Sequence, residues 1–157
     1  WAFASTSNAM VSNIIGQGKK DHVIFLIKKI ARLSFAFTAS LCLVMNLFPE
    51  VFLALYGRDG GFISDAIPVM RTVTMGVLIM SVATVWLNGV TGTGNTKVNL
   101  AIEIITILLY TIYIYLVLKV WNMSLVWAWA SEFLYWFVIL ALSFFYLRSG
   151  KWRNKVI

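Results

Sequence analysis

The chain has 157 residues, 61% of them hydrophobic and 12% charged, with a mean hydropathy of +0.85. A soluble domain carries about 25% charged and about 45–50% apolar residues, so there is too little polar surface here to coat a water-soluble fold. The net charge of +7 does not indicate a nucleic-acid partner, because the basic residues sit in short loops beside apolar spans, where they set topology. The composition predicts an all-α, polytopic transmembrane helix bundle whose surroundings are the lipid bilayer.

A helix needs about 20 apolar residues to cross the hydrocarbon core. Trp1 opens directly in an apolar stretch, without an initiator Met, a basic n-region or a small-residue cleavage motif. Residues 1–15 are therefore expected to be the second half of a span in a longer protein, not a signal peptide. Gly16-Gln17-Gly18-Lys19-Lys20-Asp21 follows as a turn, with Asp21 a candidate N-cap. The next helix is predicted over about 22–48, and the stems of Lys28, Lys29 and Arg32 can snorkel to headgroups from its first turns. Pro49-Glu50 ends it, and a loop runs through Tyr56-Gly57-Arg58-Asp59-Gly60-Gly61.

A third span is predicted over about 66–91, with no charge between Arg71 and Lys97. Thr91-Gly92-Thr93-Gly94-Asn95-Thr96-Lys97 breaks it. The fourth, about 98–118, is interrupted only by Glu103, and Trp121 anchors the turn from Lys119 to Ser124. Asn122-Met123-Ser124 fits a glycosylation pattern, but sits in a tight turn. The fifth, about 125–147, holds Glu132 and leads into Arg148, Lys151, Arg153 and Lys155, with Trp152 also suited to the interface.

Loop charge orients the bundle. If the Gly16 turn, the Gly92 turn and the tail share one side, that side, with Lys28, Lys29 and Arg32 of the adjoining helix start, holds all the Lys and Arg residues except Arg58, Arg71 and Lys119. The positive-inside rule then places the C-terminus in the cytoplasm of an integral membrane protein.

Few residues could carry chemistry. Cys42 and His22 are each the only one of their kind, so neither a disulfide framework nor a Cys/His metal site is expected. No nucleophile is paired with a base, so no catalytic residue, enzyme activity or cofactor is predicted. Thr91-Gly92-Thr93-Gly94 lacks the strand and Lys-Ser/Thr of a phosphate loop. Glu103 and Glu132 are the acidic residues within the predicted spans. A lipid-exposed acid near the bilayer centre costs about 2.5–3.5 kcal/mol, so Glu132 is expected to face the protein interior or a wet cavity. Trp129, Tyr135 and Trp136 share its helical face, and a carboxylate ringed by aromatics attracts organic cations. A structural hydrogen bond or a pair with Arg71 is the alternative reading. Glu103, Thr106, Tyr110 and Tyr113 form one polar stripe; Thr74, Ser81, Thr84, Asn88 and Thr91 form a second; Ser34, Thr38 and Cys42 form a third. Each stripe alone reads as helix packing; together they predict a shared polar interior.

Ile15-Gly16-Gln17-Gly18 before a charged helix start resembles the Gly-Gln turn after the second helix of each half of multidrug and toxic compound extrusion (MATE) transporters. Gly89-Val90-Thr91-Gly92-Thr93-Gly94-Asn95-Thr96-Lys97 resembles that family's Gly-x-Gly-Asp-Thr-Lys turn after the fourth helix. The Leu47-Phe48-Pro49 loop between them fits, and Glu132-Phe133-Leu134-Tyr135-Trp136 with Gly150-Lys151-Trp152-Arg153 looks like the final helix of bacterial members. Asn95 replaces the usual acid, Val98-Asn99 replaces Thr-Pro, and the tenth helix lacks an acid. The coupling role that some members give that acid is therefore not carried over.

The resemblance implies a partial C-terminal six-helix lobe of a twelve-helix transporter, comprising the end of helix eight and helices nine to twelve. Its partners would be the N-terminal lobe of the same chain and small amphipathic substrates. Organic cations or other drugs would leave in exchange for Na⁺ or H⁺, by alternating access, across a bacterial inner membrane. Glu132 would serve ion coupling or cation binding, with Tyr135, Trp136, Asn88, Glu103 and Tyr110 as further site candidates. A lipid-linked oligosaccharide flippase and a non-transporting membrane scaffold are the alternatives.

Overall fold

The computed structural model describes residues 1–56 and 60–154. The expected loop residues Gly57, Arg58 and Asp59, and the tail residue Lys155, lie outside the described residues. The described chain is helical: α1 (Ala2–Gly16), α2 (Val23–Leu47), α3 (Pro49–Leu53), α4 (Gly60–Gly92), α5 (Thr96–Tyr115), α6 (Leu125–Trp129) and α7 (Ser131–Arg148). Four stretches are long and apolar enough to cross a membrane: Lys20–Leu47, Gly61–Gly92, Thr96–Val120 and Leu125–Arg148. The protein is an all-α polytopic bundle. This architecture follows from the solvent, since a helix satisfies its backbone polar groups internally where lipid offers none.

α4 is the hub. It packs against α1, α2 and α7, whereas α5 rests mainly on α7. Half of the apolar window of α4 is buried, against 17% for α5, so α5 presents Ile104, Ile107, Leu108 and Ile112 outward. Helices in lipid associate through close van der Waals packing rather than through a hydrophobic drive, and glycine makes that approach possible here. A Cβ on Gly92 would lie 2.8 Å from the Asn8 carbonyl oxygen of α1, and one on Gly89 would lie 2.6 Å from Ile27 Cδ1 of α2. Val11, Ile27, Val85, Val90, Ile139 and Leu147 close the core around these contacts.

Several boundaries differ from expectation. α4 begins at Gly60, ahead of residue 66, and carries Pro68 inside it; Gly60-Gly61 is expected to lie in a loop, but the segment is helical and α4 packs against α3 and α6. Asp65 thereby becomes a helical residue, just ahead of the expected span. The last span is two helices meeting at Ala130, where the Phe133 amide bonds the Ala130 carbonyl at 3.1 Å. α5 is prolonged by a π-helical turn, Leu116–Val120, and Asn122 reverses the chain at φ 48°.

The Gly16 turn, the Gly92 turn and the tail meet at one end of the bundle. Ser12 Oγ donates to the Gly92 carbonyl at 3.0 Å, Lys20 Nζ donates to the Arg153 carbonyl at 2.6 Å, and Asn95 Nδ2 bonds the Tyr146 hydroxyl. Two expectations are corrected here. Asp21 does not cap α2, which starts after His22 without a side-chain cap; its carboxylate pairs with Arg153 at 2.9 Å. Trp152 is not an interfacial anchor: it is 2% exposed, and its indole N–H donates to the Leu147 carbonyl at 2.8 Å. In both cases a contact with the tail takes up a group that local sequence would leave to solvent.

Candidate functional site

The polar stripes divide according to what they face. On the side of α4 toward α2, Ser34 Oγ donates to the Ser81 carbonyl at 2.8 Å. Asn46 Nδ2 donates to Thr74 Oγ1 at 2.9 Å, and Cys42 Sγ lies 3.7 Å from the Thr74 carbonyl. Ser34, Cys42, Thr74 and Ser81 are all buried. These residues join helices.

Toward α5 and α7 the stripe opens instead. A cavity of about 360 Å³ is lined by Thr84, Asn88 and Thr91 of α4, Asn99 and Glu103 of α5, and Tyr135 and Trp136 of α7. Thr84 Oγ1 donates to the Met80 carbonyl at 2.8 Å, and Asn88 Nδ2 to the Thr84 carbonyl at 3.0 Å. The Thr84 hydroxyl proton and one of the two Asn88 amide protons are thus taken up by their own helix. Asn99 Nδ2 donates to Glu103 Oε1 at 3.1 Å, while its buried Oδ1 has no hydrogen-bond partner among the described residues. A buried, unmatched acceptor is costly.

Aromatic rings extend this site. Tyr135 stands edge-on to Trp136, with centroids 4.8 Å apart at 84°, and edge-on to Tyr110 at 5.8 Å and 81°. Trp136 Nε1 donates to Glu132 Oε2 at 2.8 Å, so Glu132 reaches the cavity through the indole and does not line it. α4 approaches here as well: a Cβ on Gly76 would lie 3.1 Å from Glu132 Cβ. The carboxylate accepts from Trp136 and is not paired with Arg71 among the described residues. Trp129 belongs to the short α6 and is exposed.

The structure therefore brings five of the six candidates into one aromatic and acidic neighbourhood, with Glu132 joined to it by a single hydrogen bond. No basic side chain lines the cavity among the described residues, so its electrostatics favour a cation.

The MatE family model matches residues 1–116. The chain belongs to the MatE family. It is also 22% identical, over 149 residues, to the protein named "Probable multidrug resistance protein NorM" from Thermotoga maritima. That match covers 94% of the chain and 32% of the relative, so the chain spans about a third of the relative's length. No solved structure gives a significant match. Within the MatE match lie Asn88, Glu103 and Tyr110; Glu132, Tyr135 and Trp136 of α7 lie beyond it.

Asn99 and Asp65 were missed in the sequence. Asn99 stands four residues before Glu103, a spacing that places both on one helical face, so its signal was present. Asp65 lines a second, largely apolar cavity of about 470 Å³ at the opposite end, with Met45, Leu53 and Phe62. Nothing in the local pattern marked that residue as helical.

Proposed function

We propose that this chain is part of the C-terminal lobe of a secondary active transporter that exports organic cations or other amphipathic drugs in exchange for Na⁺ or H⁺. The observation that carries this reading is the cavity between α4, α5 and α7. Glu103, Asn99 and the aromatic side chains of Tyr135 and Trp136 line it, with no basic side chain among its described lining residues. In a low-dielectric setting a carboxylate held only by a neutral amide gains from a nearby cation. Aromatic faces add cation–π attraction for an organic cation. Membership of the MatE family and the name of the Thermotoga relative support the same reading. The remaining lobe of the protein would supply the other wall, since repeat-built transporters place their sites between or within repeats near the midplane.

Glu103 is assigned to the coupling ion, Glu132 to positioning Trp136. In the full-length protein, Glu103→Gln should lower export of a cationic dye from cells by about tenfold or more while membrane abundance is unchanged. The corresponding loss is about 1.4 kcal/mol of ion or substrate binding. Undiminished dye export by Glu103→Gln would remove this cavity from the mechanism. A phosphate-bearing cargo is a poor fit, because the cavity presents an acid and no cation among its described lining residues.

A further inference from the structure

A different cavity, of about 520 Å³, opens at the end of the bundle where the tail folds back. Its charged lining is Lys28 of α2, Arg148 of α7 and Arg153 of the tail; its apolar wall is Ile24, Trp86 and Phe144. Arg153 is already paired with Asp21 at 2.9 Å. Lys28 and Arg148 have no carboxylate within salt-bridge distance among the described residues. The Arg148 guanidinium instead lies 5.9 Å from the centroid of the Phe144 ring. Two unneutralised cations thus face one hollow beside aromatic carbon.

The apolar wall continues outward. Phe144 stacks edge-on against Phe145 at 5.8 Å, and Phe145 is 67% exposed; Phe25, next to Ile24, is 70% exposed. Lys28 stands eight residues into the span that starts at Lys20, about 12 Å along the axis, from where its stem snorkels toward the headgroups. The pocket therefore joins a basic rim at the membrane boundary to a surface suited to acyl chains. Free phosphate would use only the rim. Basic pockets between transmembrane helices recognise anionic headgroups through this combination.

We propose that the Lys28/Arg148 pocket binds the phosphate of an anionic membrane phospholipid, with the first part of the acyl chains against Trp86 and Phe144. The full-length protein, placed in vesicles of equal phosphatidylglycerol and phosphatidylcholine and then extracted in mild detergent, should retain phosphatidylglycerol preferentially by mass spectrometry. Lys28→Gln and Arg148→Gln should each weaken retention about fivefold, the factor for about 1 kcal/mol per basic residue. Lys28→Arg and Arg148→Lys should preserve it, which separates loss of charge from loss of fold. Lys119→Gln, the same neutralisation on the turn after α5, should change nothing. Equal retention of both lipids, or equal loss in Lys119→Gln, would overturn the proposal. Displacement of the lipid by millimolar inorganic phosphate would overturn it too, by assigning the rim to a soluble anion.

Discussion

The two polar faces of α4 use the same residue types for opposite ends. Toward α2, Ser81 and Thr74 meet Ser34, Cys42 and Asn46, and every hydroxyl, amide or thiol there lies against another group. Toward α5 and α7, Thr84, Asn88 and Thr91 donate to carbonyls of their own helix and line open volume. What separates the faces is the partner helix. α2 is held to α4 through the bare Gly89 backbone and α7 approaches α4 at Gly76, whereas α5 rests mainly on α7 and leaves open volume beside α4. Small residues bring helices together in lipid; the volume stays open where α5 does not close on α4.

The packed side is most sharply broken at Gly92. A Cβ there meets the Asn8 backbone oxygen and Val11 Cβ, each at 2.8 Å, and neither is the movable end of a flexible chain. Gly92→Val should cost about 3 kcal/mol or more, at the upper end for overpacking. Folded protein in the membrane should fall severalfold, as read by size-exclusion chromatography of detergent extracts. Gly94 is constrained differently, by a left-handed φ of 76° that a side chain opposes. A well-folded Gly92→Val protein with normal thermal stability would mean that α1 and α4 are not packed as described.

Much of this was legible in advance, for reasons that differ by level. The spans were readable because lipid demands long apolar helices, and the common end of the two turns and the tail was readable from loop charge. The start of α4 was not, since Gly60-Gly61 carries the local marks of a loop and the contacts of α4 with α3 and α6 are not written in the local pattern. Stripe periodicity located polar faces but could not say which one packs, because a Ser or Thr every third or fourth residue reads alike in either case. Asn99 was treated as a departure from a motif, and its i, i+4 relation to Glu103 went unused. Asp21 and Trp152 were misplaced because their partners, Arg153 and the Leu147 carbonyl, become neighbours only when the tail folds back.

The cavity side is best sharpened through Trp136. Trp136→Phe keeps an aromatic face but removes the indole N–H that Glu132 accepts at 2.8 Å, an interaction with a charged group worth about 1.5–3 kcal/mol when fully buried. Glu132 and Trp136 are half-buried, so solvent screening brings the value below that range, to about 1 kcal/mol. Dye export by the full-length protein should fall about three- to tenfold, less than for Glu103→Gln, while extract stability changes little. The double variant Trp136→Phe with Glu132→Gln should be no worse than the worse single one, because both remove the same bond. Additive losses would show that Glu132 acts on substrate or ion directly and not through the indole.

The smallest effect tests the contrast itself. Ser34→Ala removes one interhelical hydrogen bond to the Ser81 carbonyl, and such bonds average about 0.6 kcal/mol in a bilayer. The carbonyl keeps its place in the α4 ladder, so no backbone group is stranded. Stability should drop by about that amount and dye export should not change. Asn88→Leu on the other face inverts the pattern. It removes an amide whose Nδ2 is bonded only within α4, so the fold should tolerate it, but it replaces a cavity oxygen with hydrocarbon. Export should therefore fall about threefold, roughly 0.6 kcal/mol of lost cation stabilisation. The two substitutions cost similar free energies, yet one should register only in a melting curve and the other only in a transport assay. If Ser34→Ala impaired export as much as Asn88→Leu, the division of α4 into a joining face and a lining face would fail, and the α2 contact would belong to the moving parts of the mechanism.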